Sequence, residues 1–180
     1  MNPVNNDNLT AAFVDRAVIL RVEGRGSFKL APSLKKFLRK LIDEQKVDRI
    51  LLDMSGCLGM DSTFMGVLAG LAGFVRRESP DTVFRLVSLS EKNEKLLRTL
   101  GVDRVVDYAA APSPEDRALM ERTETARTAL KNDVSDRLDT ATTTLEAHQT
   151  LVDINPDNLA KFESVLELLQ EDVRNLANPD

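Results

Sequence analysis

The sequence predicts an α/β protein: a mixed sheet with crossover helices, followed by an α-helical hairpin or extension. Short apolar stretches and amphipathic stretches alternate over residues 9–108 in the order β-β-α-β-α-β-α-β. One of the apolar stretches, residues 49–54, is continuous, as expected of a buried central strand, and residues 82–88 are expected to form a second central strand. Beyond residue 111, apolar residues recur at helical spacing. We therefore expect one domain at residues 1–111 and a helical C-terminal extension at residues 112–180.

The first elements are a hairpin and a helix. Residues 9–14 and 17–23 are two apolar stretches separated by Asp15-Arg16, which indicates a β-hairpin, and Gly24-Arg25-Gly26 is expected to end its second strand. Pro32 suits the first turn of a helix. The residues that follow at the spacing of one helix face are Leu34, Phe37, Leu38, Leu41 and Ile42. The basic residues between them are expected to face solvent.

The next unit is a strand, a glycine-rich turn and a helix. Residues 49–54 predict the strand, and a second helical stripe follows the turn. That stripe consists of Phe64, Val67, Leu68, Leu71 and Val75. Gly66, Gly70 and Gly73 lie in the same helix, where each glycine costs roughly 1 kcal/mol relative to alanine. We expect these glycines to allow close approach to the sheet beneath, rather than to a partner above.

The domain is expected to end with a strand, a helix and a last strand. Ser88 and Glu91 have the spacing of a capping box for a helix at residues 89–100, and Gly101 is a C-cap signal. Residues 102–108 then predict the last short strand.

The C-terminal extension contains two helical patterns of different strength. Residues 115–152 carry a thin apolar stripe that consists of Ala126, Leu130, Val134, Leu138, Ala141 and Leu145. A stronger pattern, with alternating spacings of three and four, consists of Leu159, Phe162, Leu166, Leu169, Val173 and Leu176. Asn155-Pro156 is expected to start that second helix. We predict that this seam is buried, in a helical hairpin, on the domain or against a second copy of the chain.

Composition and charge exclude several classes of function. The single cysteine, Cys57, excludes an internal disulfide and is expected to be a buried thiol. The longest apolar run is too short to span a bilayer, and the N-terminus does not resemble a signal peptide, so we expect a cytoplasmic protein. Residues 1–110 carry 17 basic and 14 acidic residues, whereas residues 111–180 carry 7 and 15. The acidic extension argues against binding to nucleic acid or an anionic membrane, and a solvated acidic face is favoured over folding back onto the domain.

The sequence carries none of the common catalytic or metal-binding motifs. It contains no Gly-x-Ser-x-Gly elbow and no Walker loop, and Asp53 and Asp61 have no further catalytic partner. One histidine, His148, is weak evidence for a metal and is expected to be a surface or interhelical residue. We therefore expect neither an enzyme nor a cofactor.

Asp61-Ser62-Thr63 is the candidate functional site, because it lies where a strand and turn lead into a helix. A serine there suits a phosphate, since free backbone N–H groups and the helix dipole both favour an anion. Helix capping alone would also explain the same residues.

The local pattern Met60-Asp61-Ser62-Thr63, together with the element order of residues 9–110, resembles the STAS domain family, specifically the anti-sigma-factor antagonists. Two departures are visible. The family usually has Gly-Glu-Leu-Asp where this chain has Gly24-Arg25-Gly26-Ser27, and Gly-Leu-Gly where it has Phe64-Met65-Gly66.

The resemblance implies a phosphoprotein of bacterial signalling and transcription regulation that works by partner switching. Ser62 is then the phosphoacceptor, and Thr63 is the alternative. The implied partners are an anti-sigma factor with serine kinase activity and a PP2C-type phosphatase, with a possible homo-oligomer through the C-terminal helices. We expect the partner to dock on an exposed turn that consists of Cys57, Leu58, Gly59, Met60, Asp61, Ser62, Thr63 and Phe64. The alternative is a non-switching scaffold or assembly protein.

Overall fold

A six-stranded mixed sheet with helices on both faces forms the core of the computed structural model, which describes residues 7–130 and 136–178. The strands are β1 (Asn8–Val14), β2 (Ala17–Gly26), β3 (Arg49–Met60), β4 (Val83–Val87), β5 (Asp107–Tyr108) and β6 (Thr128–Ala129). The helices are α1 (Ala31–Asp43), α2 (Ser62–Glu78), α3 (Glu91–Leu100), α4 (Pro114–Arg122), α5 (Arg137–Ile154) and α6 (Leu159–Ala177). The α/β class predicted from the sequence is confirmed.

The sheet has the order β5-β4-β3-β2-β1-β6. The predicted hairpin is present, since β1 and β2 pair antiparallel from Asn8 opposite Glu23 to Val14 opposite Ala17. β2, β3, β4 and β5 are parallel to one another, as crossover helices require. β6 pairs antiparallel with the free edge of β1.

β2 and β3 extend beyond the rest of the sheet as a two-stranded ribbon. β4 pairs with β3 only as far as Asp53, whereas β2 stays paired to β3 until Gly26 meets Met60. The expectation that Gly24-Arg25-Gly26 ends the second strand is wrong, and so is the expected glycine-rich turn after Met54. Two register shifts absorb the irregular backbone, and Gly24 takes a φ of 76°. Such bulges let a strand continue through glycines while its twist increases.

One face of the sheet carries the main core, beneath α1, α2 and α3. The predicted stripe of α2 is fully confirmed, since Phe64, Val67, Leu68, Leu71 and Val75 are all buried. In α1 the predicted residues are buried except Phe37, which is partly buried. The glycines of α2 contradict their prediction, because Gly66 and Gly70 face α5 and not the sheet.

The opposite face of the sheet is covered by α4. Ile19, Leu51 and Val87 form a separate buried cluster there, against which Leu119 and Met120 of α4 pack. The fully buried Asp116 carboxylate lies 2.7 Å from Arg49 and 3.3 Å from Arg85, which belong to β3 and β4. Residues beyond 111 therefore cover this face of the sheet.

Two local predictions in the second half of the domain need correction. The N-cap of α3 is Ser90, whose hydroxyl accepts from the N–H of Asn93, whereas Ser88 lies outside the helix with a φ of 60°. Residues 102–108 form a 3₁₀ turn (Val102–Arg104) and only two residues of strand. The C-cap at Gly101 is confirmed, with a φ of 77°.

The C-terminal extension folds back onto the domain, contrary to the solvated face favoured from its charge. α5 packs on the outer side of α2, and Glu146 forms an ion pair with Lys35 of α1. The thin stripe is not one helix, because α4, β6 and α5 divide it, and Val134 lies outside the described residues. α6 begins as expected after Asn155, which caps the turn at Pro156–Asn158.

The predicted seam of α6 is not buried. None of its residues is buried, and Leu159 is 48% exposed, while the other five seam residues are half-buried on a helix that packs against α5. Val165 and Leu168, outside the seam, are exposed as well. Among the described residues of α6, the apolar side chains of Leu159, Val165 and Leu168 are therefore left exposed.

Candidate functional site

Asp61 joins the end of β3 to the start of α2. One carboxylate oxygen accepts from the N–H of Phe64 at 2.8 Å, which caps the helix, and the other accepts from the N–H of Phe28 at 2.8 Å. The N–H of Asp61 donates to the carbonyl of Gly26 at 2.9 Å. The capping interpretation of this motif is therefore correct for Asp61, and the same contacts fix the position of the next residue.

Ser62 is the first residue of α2 and is half-buried. Thr63, the alternative phosphoacceptor, is only 4% exposed and points into the protein. Of the two hydroxyl groups, that of Ser62 lies nearer the surface, at the positive end of the helix dipole.

The expected exposed turn at residues 57–64 is the end of β3 and the first turn of α2, and most of it is buried. Cys57, Gly59, Met60, Thr63 and Phe64 are buried, Asp61 and Ser62 are half-buried, and Leu58 alone is exposed, at 66%. Cys57 is a buried free thiol, as expected. The buried positions follow from the ribbon pairing, because Cys57, Gly59 and Met60 lie opposite residues of β2.

Phe64 and Gly26, the two departures from the family pattern, contact each other. Phe64 is completely buried, and a Cβ on Gly26 would lie 2.6 Å from its ring. In the family pattern, leucine stands at the position of Gly26 and glycine at that of Phe64. The chain therefore exchanges a large and a small residue across one contact, which leaves the volume between β2 and α2 similar.

We expect Gly26→Leu and Phe64→Gly to destabilise the protein singly and to compensate each other in part. Overpacking at Gly26 should cost about 1–3 kcal/mol, and removing the buried ring should cost at least about 3–5 kcal/mol. The double variant restores the pair of residues in the family pattern. Its loss of unfolding free energy should therefore be smaller than the sum of the two single losses by about 1 kcal/mol or more. Urea unfolding of the four proteins measures this coupling, and strictly additive losses would contradict it.

His148 is a site residue that the sequence analysis did not assign to the site. It is 4% exposed and lies between helices, so the interhelical position expected as one alternative is the correct one. Its Nε2 lies 3.0 Å from the Ser62 hydroxyl oxygen. Its Nδ1 lies 2.8 Å from the carbonyl of Thr144, and its ring makes an edge contact with Phe162 at 4.8 Å between centroids. Ser62 and His148 are 86 positions apart, so no local pattern in the sequence could indicate their contact.

The remaining acidic and metal-binding candidates do not form a second centre. Asp53 is completely buried and pairs with Arg21 at 2.8 Å, away from Asp61. Within residues 7–130 and 136–178, no three histidine, cysteine or acidic side chains converge to hold a metal ion. No helix in this part of the chain is both long and apolar enough to cross a membrane.

A mixed sheet with crossover helices, with a serine on the first turn of the helix that follows a central strand, defines an α/β protein of the class that the sequence predicted. The family model of the STAS domain matches residues 8–116, which is more than half of the chain. This protein belongs to the STAS domain family. The match ends before α5 and α6.

Solved structures resemble the same part of the chain. An anti-sigma factor antagonist from Mycobacterium paratuberculosis is similar with a TM-score of 0.52 at 16% identity, over 66% of this chain and 98% of that one. The protein TM1081 from Thermotoga maritima, a candidate anti-sigma factor antagonist, has a TM-score of 0.50 at 25% identity, over 63% of this chain and 92% of that one. A comparison with curated proteins gives no significant match.

Proposed function

We propose that this protein is a binding module of the anti-sigma-factor antagonist type, switched by reversible phosphorylation of Ser62, rather than an enzyme. The observation that supports this most directly is the Ser62 hydroxyl at the start of α2, held in place by the cap of Asp61. The STAS family membership and the similarity to antagonists support the general class.

Phosphate at Ser62 changes binding through local charge. It adds nearly two negative charges next to the carboxylate of Asp61, at a helix N-terminus that itself stabilises the anion. A protein partner that docks there must desolvate this charge, which disfavours the complex. The switch therefore needs no large rearrangement of the domain.

The proposed docking surface comprises the accessible parts of residues 57–64 and their neighbours. Leu58 is exposed on the ribbon, next to Lys92 of α3, which donates to the Leu58 carbonyl. Phe28 is 46% exposed, and its backbone is bonded to Asp61. An apolar surface beside a switchable charge suits a folded protein, and we propose a kinase-type anti-sigma factor as the partner and a PP2C-type phosphatase as its opponent.

We expect Ser62→Asp to weaken partner binding at least about tenfold, a loss of about 1.4 kcal/mol, whereas Ser62→Ala should bind and resist phosphorylation. Pull-downs from extract of the source cells with ATP, followed by phosphosite mapping and calorimetry on the captured partner, measure both effects. Ser164→Asp places the same charge on an exposed position of α6 and is the control. Phosphate mapped elsewhere, with Ser62→Ala labelled like the unchanged protein, would contradict the proposal.

One observation favours a second candidate, an assembly role without switching. Val165 and Leu168 of α6, which are 37% and 64% exposed, are the apolar side chains through which a second copy of the chain would pair. A phosphomimetic Ser62→Asp protein that captures the same partners with the same affinity would favour this candidate.

A further inference from the structure

α5 lies directly on the face of α2 that carries Ser62. Ser62, Gly66 and Gly70 share that face at intervals of four residues, and each is nearest to a residue of α5. A Cβ on Gly66 would lie 2.4 Å from the carbonyl oxygen of Ala147, whereas a Cβ on Gly70 would lie 3.8 Å from the hydroxyl of Thr150. The glycine at 66 therefore lets the two helix backbones touch.

His148 closes this contact over the Ser62 hydroxyl. The carbonyl of Thr144 can only accept, so Nδ1 of the neutral ring carries the hydrogen and Nε2 is the acceptor. The Ser62 hydroxyl therefore donates to Nε2. Phe162 of α6 packs against the outer edge of the ring, which brings both C-terminal helices to the candidate phosphoacceptor.

The contact between the extension and the domain combines few buried apolar side chains with polar contacts, among them that of Asn158, which is completely buried and donates to the Leu100 carbonyl at 2.9 Å. α5 buries only Thr143, Ala147, His148 and Leu151, two of which are polar, and α6 buries none of its residues. Segments with few buried apolar contacts open at a lower free energy than the domain unfolds. α5 and α6 can therefore leave α2 while the sheet remains folded.

We propose that α5 and α6 form a lid, residues 137–177, that withholds Ser62 from a kinase and the adjoining surface from a protein partner. The inference rests on the proposed function of Ser62 and adds its regulation. A partner that binds only the open form has an apparent affinity that is reduced in proportion to the fraction of chains that are open. Opening of the lid therefore sets both the rate of phosphorylation and the apparent affinity.

The sole histidine of the chain reports on the lid without any partner. Diethyl pyrocarbonate modifies accessible imidazole, and mass spectrometry of the full-length protein gives the rate at His148. Gly66→Ala should raise this rate at least about tenfold, because the added methyl group meets the α5 backbone. Gly70→Ala adds the same methyl group one turn away, where there is room for it. The modification rate of His148 in this variant should stay within about twofold of that in the unchanged protein. The rate of Ser62 phosphorylation by cell extract with ATP should follow the same order.

A second variant, Ala147→Glu, disturbs the same contact from the α5 side and should behave like Gly66→Ala. If both variants leave His148 as protected as before, the lid is refuted while the proposed function stands. If His148 opens but Ser62 is phosphorylated at an unchanged rate, the regulatory role is refuted. If no variant is phosphorylated at Ser62, although His148 opens, the proposed function itself fails and the regulatory role fails with it.

Discussion

A chain that ends at Ala111 is expected to lose cooperative unfolding, whereas one that ends at Leu130 is expected to remain folded. The shorter chain lacks α4, so Ile19, Leu51 and Val87 lose the cover of Leu119 and Met120. Burial of each such side chain contributes about 1.5–3 kcal/mol, and the total is comparable with the stability of a whole domain, about 5–15 kcal/mol. The longer chain keeps α4 and the pairing of β6 with β1.

Urea unfolding followed by circular dichroism distinguishes the two chains. The full-length protein is the control, and the chain that ends at Leu130 should show a single transition and an accessible Ser62. The division of the molecule after residue 111 remains a prediction, and the packing of α4 and β6 favours a boundary after Leu130 instead. A cooperative transition in the chain that ends at Ala111 would contradict this view.

Asp116→Asn is expected to destabilise the protein by about 3 kcal/mol, which is the lower end of the range measured when one partner of a buried ion pair is removed. The Asp116 side chain is completely buried, whereas Arg49 and Arg85 are 21% and 31% exposed, so water relieves part of their unpaired charge. Asp107→Asn removes an exposed carboxylate from the same Arg85 and should cost less than about 1 kcal/mol. Equal losses for the two variants would show that burial of Asp116 contributes nothing.

The contribution of Asp116 also depends on pH. Burial raises the pKa of the Asp116 carboxyl, but hydrogen bonds with Arg49 and Ser113 and the charges of Arg49 and Arg85 outweigh it, so the pKa lies below its usual value of 3.8. A carboxyl with a lowered folded-state pKa stabilises the protein above the unfolded value and loses that effect as the pH falls through the folded value. The difference in unfolding free energy between the unchanged protein and Asp116→Asn should therefore be constant near neutrality and shrink below pH 3.8.

Local patterns predicted most of the fold. The hairpin, the stripes of α1 and α2, and the C-cap at Gly101 each depend on residues within a few positions of one another, and all were confirmed. The prediction of turns at the glycines failed because tertiary pairing overrode local preference. Glycines near residues 24 and 56 were interpreted as turns, but the ribbon carries them as bulged strand. The α6 seam has the periodicity of a buried face, yet periodicity alone does not supply the surface that covers it.

Only the part of the candidate site that consists of residues adjacent in sequence was predictable. Asp61 and Ser62 were recognisable because a cap and a helix start are adjacent in sequence. The contacts of Ser62 with His148, and of Gly66 with Ala147, join residues about 80 positions apart, so no spacing rule could indicate them. Gly66 does mark a close approach, as glycines in this helix were expected to, but the sequence favoured approach to the sheet, whereas the structure places α5 there.

The ribbon of β2 and β3 also has a consequence for the behaviour of the protein at high concentration. Beyond Asp53, β3 has no β4 partner, and an unpaired strand edge is a template on which another chain can add and aggregate. The first turn of α3 blocks this edge, since Asn93 donates to the carbonyl of Cys57 at 2.9 Å and Lys92 to that of Leu58 at 2.8 Å. These two side chains occupy the carbonyls that an added strand would use, and the lysine charge repels a second copy. We therefore expect the solubility of the protein at high concentration to depend on a helix terminus that takes no part in the sheet.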